Sequence, residues 1–195
     1  MRLQTRRGGF CGGTLVASKF VITAAHCLVD RNRKPKYRAK DLFVNIGDHD
    51  LNHPKTGKMV KVKRIHNHHK YRPYRGFDIS ILELAEELDL DKHTPACLAK
   101  SRDGTKFDGK RATVAGWGVM ANGRWSWPRV PHEVDIPVIS SRRCRESKYV
   151  PSIICAGSRG KDACAVRFWH SNPRPDRIDT VQHTDYRSDC TLLHT

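Results

Sequence analysis

The feature that most constrains this chain is the string VITAAHC at residues 21–27. An apolar strand runs into two small alanines and delivers His26 at its end, with Cys27 beside it and Cys11 upstream in FCGGTL. A lone histidine is ordinarily a satisfied core or surface side chain. One set at the end of an apolar strand, next to a cysteine and downstream of a Cys-Gly-Gly turn, is a candidate for chemistry.

At 195 residues the chain is long enough for one large or two small domains with a buried core. Lys and Arg total 36 against 20 Asp and Glu, a formal net charge of +16, so the surface field favours polyanionic partners without naming one. Seven cysteines without a C-x-x-C pair read as a disulfide framework rather than a zinc site, which implies an oxidising compartment. The odd count leaves at least one thiol without an internal mate. Residues 1–7 show no apolar core of a signal peptide, and no apolar run is long enough to span a membrane. A disulfide-patterned chain without an export signal implies that its N-terminal portion is missing. No stacking-aromatic array or nucleic-acid motif accompanies the charge, so no specific nucleic acid is expected.

Periodicity gives a coarse map. Residues 30–40 are polar and Pro-containing, read as a loop, and carry Arg31, Arg33, Lys34, Lys36, Arg38 and Lys40. Residues 42–47 read as a strand, and 59–65 alternate apolar with basic, giving one packed face and one positive face with Lys61, Lys63 and Arg64. His66 and His68 would share a strand face as metal ligands can, but no acidic or Cys partner lies close in sequence, and no metal or other cofactor is expected. Asp78 opens an alternating apolar strand, where a partly buried carboxylate needs a donor. Residues 101–110 form a Gly- and charge-rich linker, and residues 133–139 read as a further strand.

CGGTL followed by VITAAHC resembles the trypsin/chymotrypsin family of serine proteases. The likeness continues through GFDISILEL at 76–84, VAGWG at 114–118 and IICAG at 153–157 to Cys164, covering roughly residues 8–164. It implies an all-β fold of two antiparallel six-stranded Greek-key barrels, the second incomplete. Residues 1–98 would form the first barrel, lacking the family's activation segment, and residues 99–164 a partial second barrel. It also implies that His26 is the general base and Asp78 the carboxylate of a Ser-His-Asp triad. Asp162, two residues before Cys164, matches the pocket carboxylate of relatives that cleave after Lys or Arg. Disulfides Cys11–Cys27 and Cys144–Cys155 follow by the same resemblance, the first stabilising by about 3 kcal/mol in the chain-entropy model. Cys97 matches a cysteine that pairs upstream of the catalytic domain, and Cys164 and Cys190 are left without an assigned mate.

After Cys164 the likeness stops, because no Gly-Asp-Ser-Gly-Gly-Pro follows. Residues 165–195 have neither helical nor strand periodicity and carry four basic and four acidic side chains, so they are expected to form an unrelated, disordered tail. Ala-Val-Arg-Phe-Trp-His-Ser at 165–171 can be encoded so that reading from the second base gives Gln-Ser-Asp-Ser-Gly-Thr-Pro. A change of reading frame immediately after Cys164 is therefore expected. Loss of the nucleophile alone costs about 10⁶ in kcat in serine proteases. The resemblance thus implies a secreted endopeptidase acting on protein substrates, or held by a macromolecular inhibitor, of which this chain is an inactive copy. The alternative is a non-catalytic homologue that binds heparin-like polyanions or microbial surfaces through its basic face.

Overall fold

The computed structural model describes residues 1–6, 8–53, 57–73, 76–98, 107–118, 128–140 and 154–157. The chain divides into two compact units, Met1–Leu98 and Ala99–Thr195. Both are all-β among the described residues.

In the first unit seven strands form one antiparallel sheet: β1 (Arg2–Thr5), β2 (Gly8–Gly12), β3 (Thr14–Ala17), β4 (Phe20–Thr23), β5 (Phe43–Ile46), β6 (Lys58–Asn67) and β7 (Ser80–Leu84). Their order is β2-β1-β5-β6-β7-β4-β3. The two edge strands, β2 and β3, are consecutive segments separated by Gly13 alone, so the sheet curls back on itself and six stretches of chain surround the core. With β2 and β3 counted as one bent strand, the first three strands pair in succession and β5 returns beside β1, which is the Greek-key order.

The bend works because residue 13 has no side chain. A Cβ there would lie 2.8 Å from Val21 Cγ1 and 2.9 Å from Leu3 Cδ1. The opposite corner is made by β6. Its first half pairs with β5 (Val44 opposite Val60) and its second half with β7 (Ile65 opposite Leu82), with a bulge between Val62 and Arg64 that increases the local twist. Val60 and Val62 are buried, whereas Lys61 and Lys63 face outward. Leu3, Leu15, Val21, Leu42, Val44, Val60, Leu82 and Leu84 fill the interior.

Residues 2–5, where periodicity marks no strand, form β1, which pairs with β2 on one side and β5 on the other. A single apolar side chain, Leu3, gives no period to detect, yet it is fully buried opposite Val44. Arg2 supports the same strand from its other end. Its Nη2 donates to Asp48 Oδ2 at 3.2 Å, and Asn45 Nδ2 donates to the same oxygen at 2.5 Å.

In the second unit, β8 (Arg111–Gly116) and β9 (His132–Pro137) pair antiparallel over six residues, and Val138 bridges Ala156. Phe107, Ala112, Ile136, Val138 and Ala156 form its core. Among the described residues this is a two-stranded sheet with one added bridge. Residues 144, 162 and 164–195 lie outside the described residues.

Candidate active site

Strand β4 carries its apolar residues into the core, and Ala24 (φ −77°, ψ 139°) extends it into a 3-10 turn at Ala25–Cys27. Ala25 is completely buried, packed with Val29 and Tyr71, so only a small residue fits immediately before the histidine. Cys27 is bonded to Cys11 on β2, and Thr23 Oγ1 donates to the Gly12 carbonyl at 2.8 Å. Both links tie the base of the turn to the bend at Gly13.

Asp78 arrives just ahead of β7, the strand paired directly with β4 (Thr23 opposite Ser80). Gly76 (φ 92°) and Phe77 (φ 57°) both adopt left-handed backbone, and the Ile79 N–H donates to the Phe77 carbonyl at 2.8 Å, closing a tight turn around Asp78. Phenylalanine rarely takes this conformation, and its ring is held by stacking on His68 at 4.9 Å between centroids. His68 stacks in turn on His69, and its main-chain N–H donates to the Ile79 carbonyl at 3.1 Å. Burial, followed by the charges of His69 and Lys70, lowers the His68 pKa below its ordinary value. Further along the strand pair, Ser80 Oγ donates to Asn67 Oδ1 at 2.5 Å.

The two turns meet in one constellation. The His26 main-chain N–H donates to Asp78 Oδ1 at 2.8 Å, and the His26 Nδ1 makes a short hydrogen bond with Asp78 Oδ2. Both carboxylate oxygens are therefore used on one residue, and the Asp78 side chain is only 15% exposed. An imidazole whose Nδ1–H is given to a carboxylate keeps its lone pair on Nε2, and the ring is 37% exposed. Such a ring can accept a proton from a hydroxyl brought to Nε2 and return it to a leaving group.

A third group closes on the same residue. After His26 the chain forms a small hairpin in which Asp30 Oδ1 accepts from the Asn32 and Lys34 N–H groups, Val29 bridges Pro35, and the Lys36 N–H donates to the Leu28 carbonyl. The Lys36 Nζ then donates to the His26 carbonyl oxygen at 2.7 Å. Burial lowers the Lys36 pKa, and the charges of Asp30 and Asp78 oppose that shift. This contact is not legible in the sequence, because a lysine that reaches a main-chain carbonyl leaves no motif.

The other candidate residues are placed as follows. Cys155 is disulfide-bonded and buried, while its expected mate Cys144 and the pocket candidate Asp162 lie outside the described residues. Among the basic residues, Arg38 pairs with Asp41 at 2.8 Å, and Lys63 (3.0 Å) and Arg64 (3.8 Å) share Glu83. The Lys63 hydrogen bond holds the Glu83 carboxyl below its ordinary pKa. Arg31, Arg33, Lys34, Lys40 and Lys61 are exposed and have no ion pair among the described residues. His66 lies 3.8 Å from Glu83, apart from the His68 stack. The one group of metal-capable side chains among the described residues is Cys11, His26 and Cys27, whose two sulfurs are consumed by their disulfide. Among the described residues no helix is long and apolar enough to cross a membrane.

Comparison with known proteins matches the trypsin family profile over residues 1–165. Serine protease filzig of Drosophila melanogaster is 34% identical over 79% of this chain and 9% of its own length. Ovochymase-2 of Mus musculus is 31% identical over 83% of this chain and 28% of its length, and the clotting factor G beta subunit of Tachypleus tridentatus 27% identical over 92% and 63%. The chain thus spans less than two thirds of each of these relatives. Among solved structures, neuropsin, a serine protease expressed in the limbic system of mouse brain, superposes with a TM-score of 0.67 at 27% identity, covering 85% of this chain and 72% of that one.

Proposed function

Because the chain belongs to the trypsin family of serine proteases, we propose that His26 and Asp78 are the base and the orienting carboxylate of an endopeptidase site. The supporting observation is the double engagement of Asp78 by the main-chain N–H and the ring of His26. That engagement fixes the tautomer and direction of the imidazole, which acyl transfer requires of its base. In this reading Asp162 binds the Lys or Arg side chain of a protein substrate, or of a macromolecular inhibitor, by a charge-assisted contact that is strong once desolvated. In this reading the protein is secreted, which the disulfides support, since such bonds persist in oxidising compartments.

In this reading the chain as it stands does not turn over, which is supported by the absence of a Gly-Asp-Ser-Gly-Gly-Pro string after Cys164. It should hydrolyse Lys and Arg esters no faster than buffer and take up no serine-directed fluorophosphonate probe. Replacing residues 165–195 with a continuation that carries Gly-Asp-Ser-Gly-Gly-Pro, together with the family's N-terminal activation segment, should restore probe labelling, and His26→Ala in that background should lower the labelling rate by at least about 10³. Stoichiometric labelling of the unaltered chain, or labelling indifferent to His26, would sink the proposal. A second reading, a non-catalytic homologue that holds a heparin-like polyanion, is favoured by the exposed cations Arg31, Arg33, Lys34, Lys40 and Lys61.

A further inference from the structure

We propose that Lys36 is a positioning residue for His26. The inference rests on reading His26 as the base of the site, and its test reads the position of His26 without any catalysis.

The peptide groups of His26 are held from two directions. On the amide side, the N–H donates to Asp78 at 2.8 Å, and on the carbonyl side, the oxygen accepts from the Lys36 ammonium at 2.7 Å. The turn itself is only three residues long, Ala25–Cys27, and no side chain caps it. A 3-10 turn of that length has few internal hydrogen bonds to define it, so its carbonyls depend on outside donors. A charged donor suits the carbonyl of a residue whose amide and ring both face a carboxylate, because the ammonium lies within the field of Asp78 as well.

Lys36 is itself placed by the hairpin that follows His26. Its N–H donates to the Leu28 carbonyl at 2.8 Å, and Val29 bridges Pro35. The tip is fixed by Asp30, which accepts from the N–H groups of Asn32 and Lys34 at 2.9 and 2.7 Å. Arg33 completes the reversal at φ 62°. Charged groups that act on Lys36 include Asp30 on its own hairpin and Asp78 ahead of β7. Tyr71 packs beneath the start of the hairpin, against Ala25 and Val29. The hairpin therefore returns its lysine to the residue from which it departs, and the ring orientation set by Asp78 is backed by a main chain held at both its amide and its carbonyl.

Amide hydrogen exchange of His26 in the full chain tests this, together with the NMR resonance of its Nδ1 proton. Lys36→Met should speed His26 amide exchange by about tenfold and shift or broaden the Nδ1 proton line, while Lys36→Arg, which keeps a long charged donor, should restore both. Lys34→Met removes a neighbouring charge without touching His26 and should change neither. Should Lys36→Met fail to fold, Lys36→Gln against Lys36→Arg makes the same comparison, with the buried amides of Leu82 and Leu84 reporting the integrity of the sheet. Equal His26 protection in the methionine or glutamine variant and the parent overturns the proposal. Faster exchange confined to residues 30–36 overturns it too, since that would make Lys36 a brace for its own hairpin only.

Discussion

Asp78 spends both of its oxygens on one residue, and the backbone that delivers it is strained to do so. Phe77, at φ 57°, is compensated by its ring lying on His68, so the turn that aims the carboxylate leans on an imidazole outside the site. That arrangement is sensitive to pH. The fold lowers the His68 pKa below its ordinary value of 6.5, so the native state holds fewer protons there than the unfolded chain. Stability from this group is present above the unfolded value and is lost as pH falls through the lower folded value. Replacing His68 with Phe keeps a ring on Phe77 and removes the charge. The melting temperature of His68→Phe should fall less steeply than the parent's as pH is lowered from 7 to 5, and parallel curves would show that His68 contributes nothing to the acid limb. At this scale the pairing of His26 with Asp78 was legible through the resemblance of their two strings to the family's, and through the need of a partly buried carboxylate at the head of an apolar strand for a donor. Lys36 on the His26 carbonyl and Arg2 on Asp48, 46 residues away, were not, since their partners are chosen by tertiary packing alone.

At the level of elements, period-2 reading found β6 and β7 because inward and outward positions differ sharply, as with Val60 and Val62 against Lys61 and Lys63. Strand β1 escaped it. Four residues with one apolar side chain have no period, and the strand exists through its pairing with β2 and β5. The bend at Gly13 is the element on which this pairing depends, because it lets one stretch of chain serve β1 on one side and β4 on the other. A methyl group there would press on Val21 and Leu3, and the Ile22 carbonyl oxygen stands 3.2 Å away. Two of these neighbours are buried side chains in a filled core, so they yield only by disturbing the packing around them. Gly13→Ala should cost about 1–3 kcal/mol in urea unfolding at an unchanged m-value. A variant as stable as the parent would mean that the sheet has slack at this corner, and that Cys11–Cys27 rather than the bend holds the base of the His26 turn.

Across the whole molecule the net charge of +16 is the dominant fact, and the structure shows that it is unevenly available. Lys63 and Arg64 spend their charge on Glu83, Arg38 on Asp41, and Lys36 points to a main-chain carbonyl. For Lys63 and Arg64 the sequence could not make this distinction, because Glu83 lies on another strand. Of the exposed cations without an ion pair among the described residues, Arg31, Arg33 and Lys34 stand on a hairpin tip already fixed by Asp30, so little backbone freedom is left for an anion to remove. If the basic face binds a sulfated polyanion, these three should matter more than Lys63 and Arg64. Exposed charges contribute about 0.2–1 kcal/mol each. Neutralising Arg31, Arg33 and Lys34 to Gln together should therefore weaken heparin binding by about tenfold at 0.1 M salt, and neutralising Lys63 and Arg64 by much less. Affinity should fall steeply between 0.1 and 0.5 M NaCl, where the screening length shrinks from about 10 Å to about 4 Å. Equal losses from the two sets of variants, or retention on heparin no stronger than on a plain cation exchanger of matched charge density, would reduce the basic face to a solvated surface.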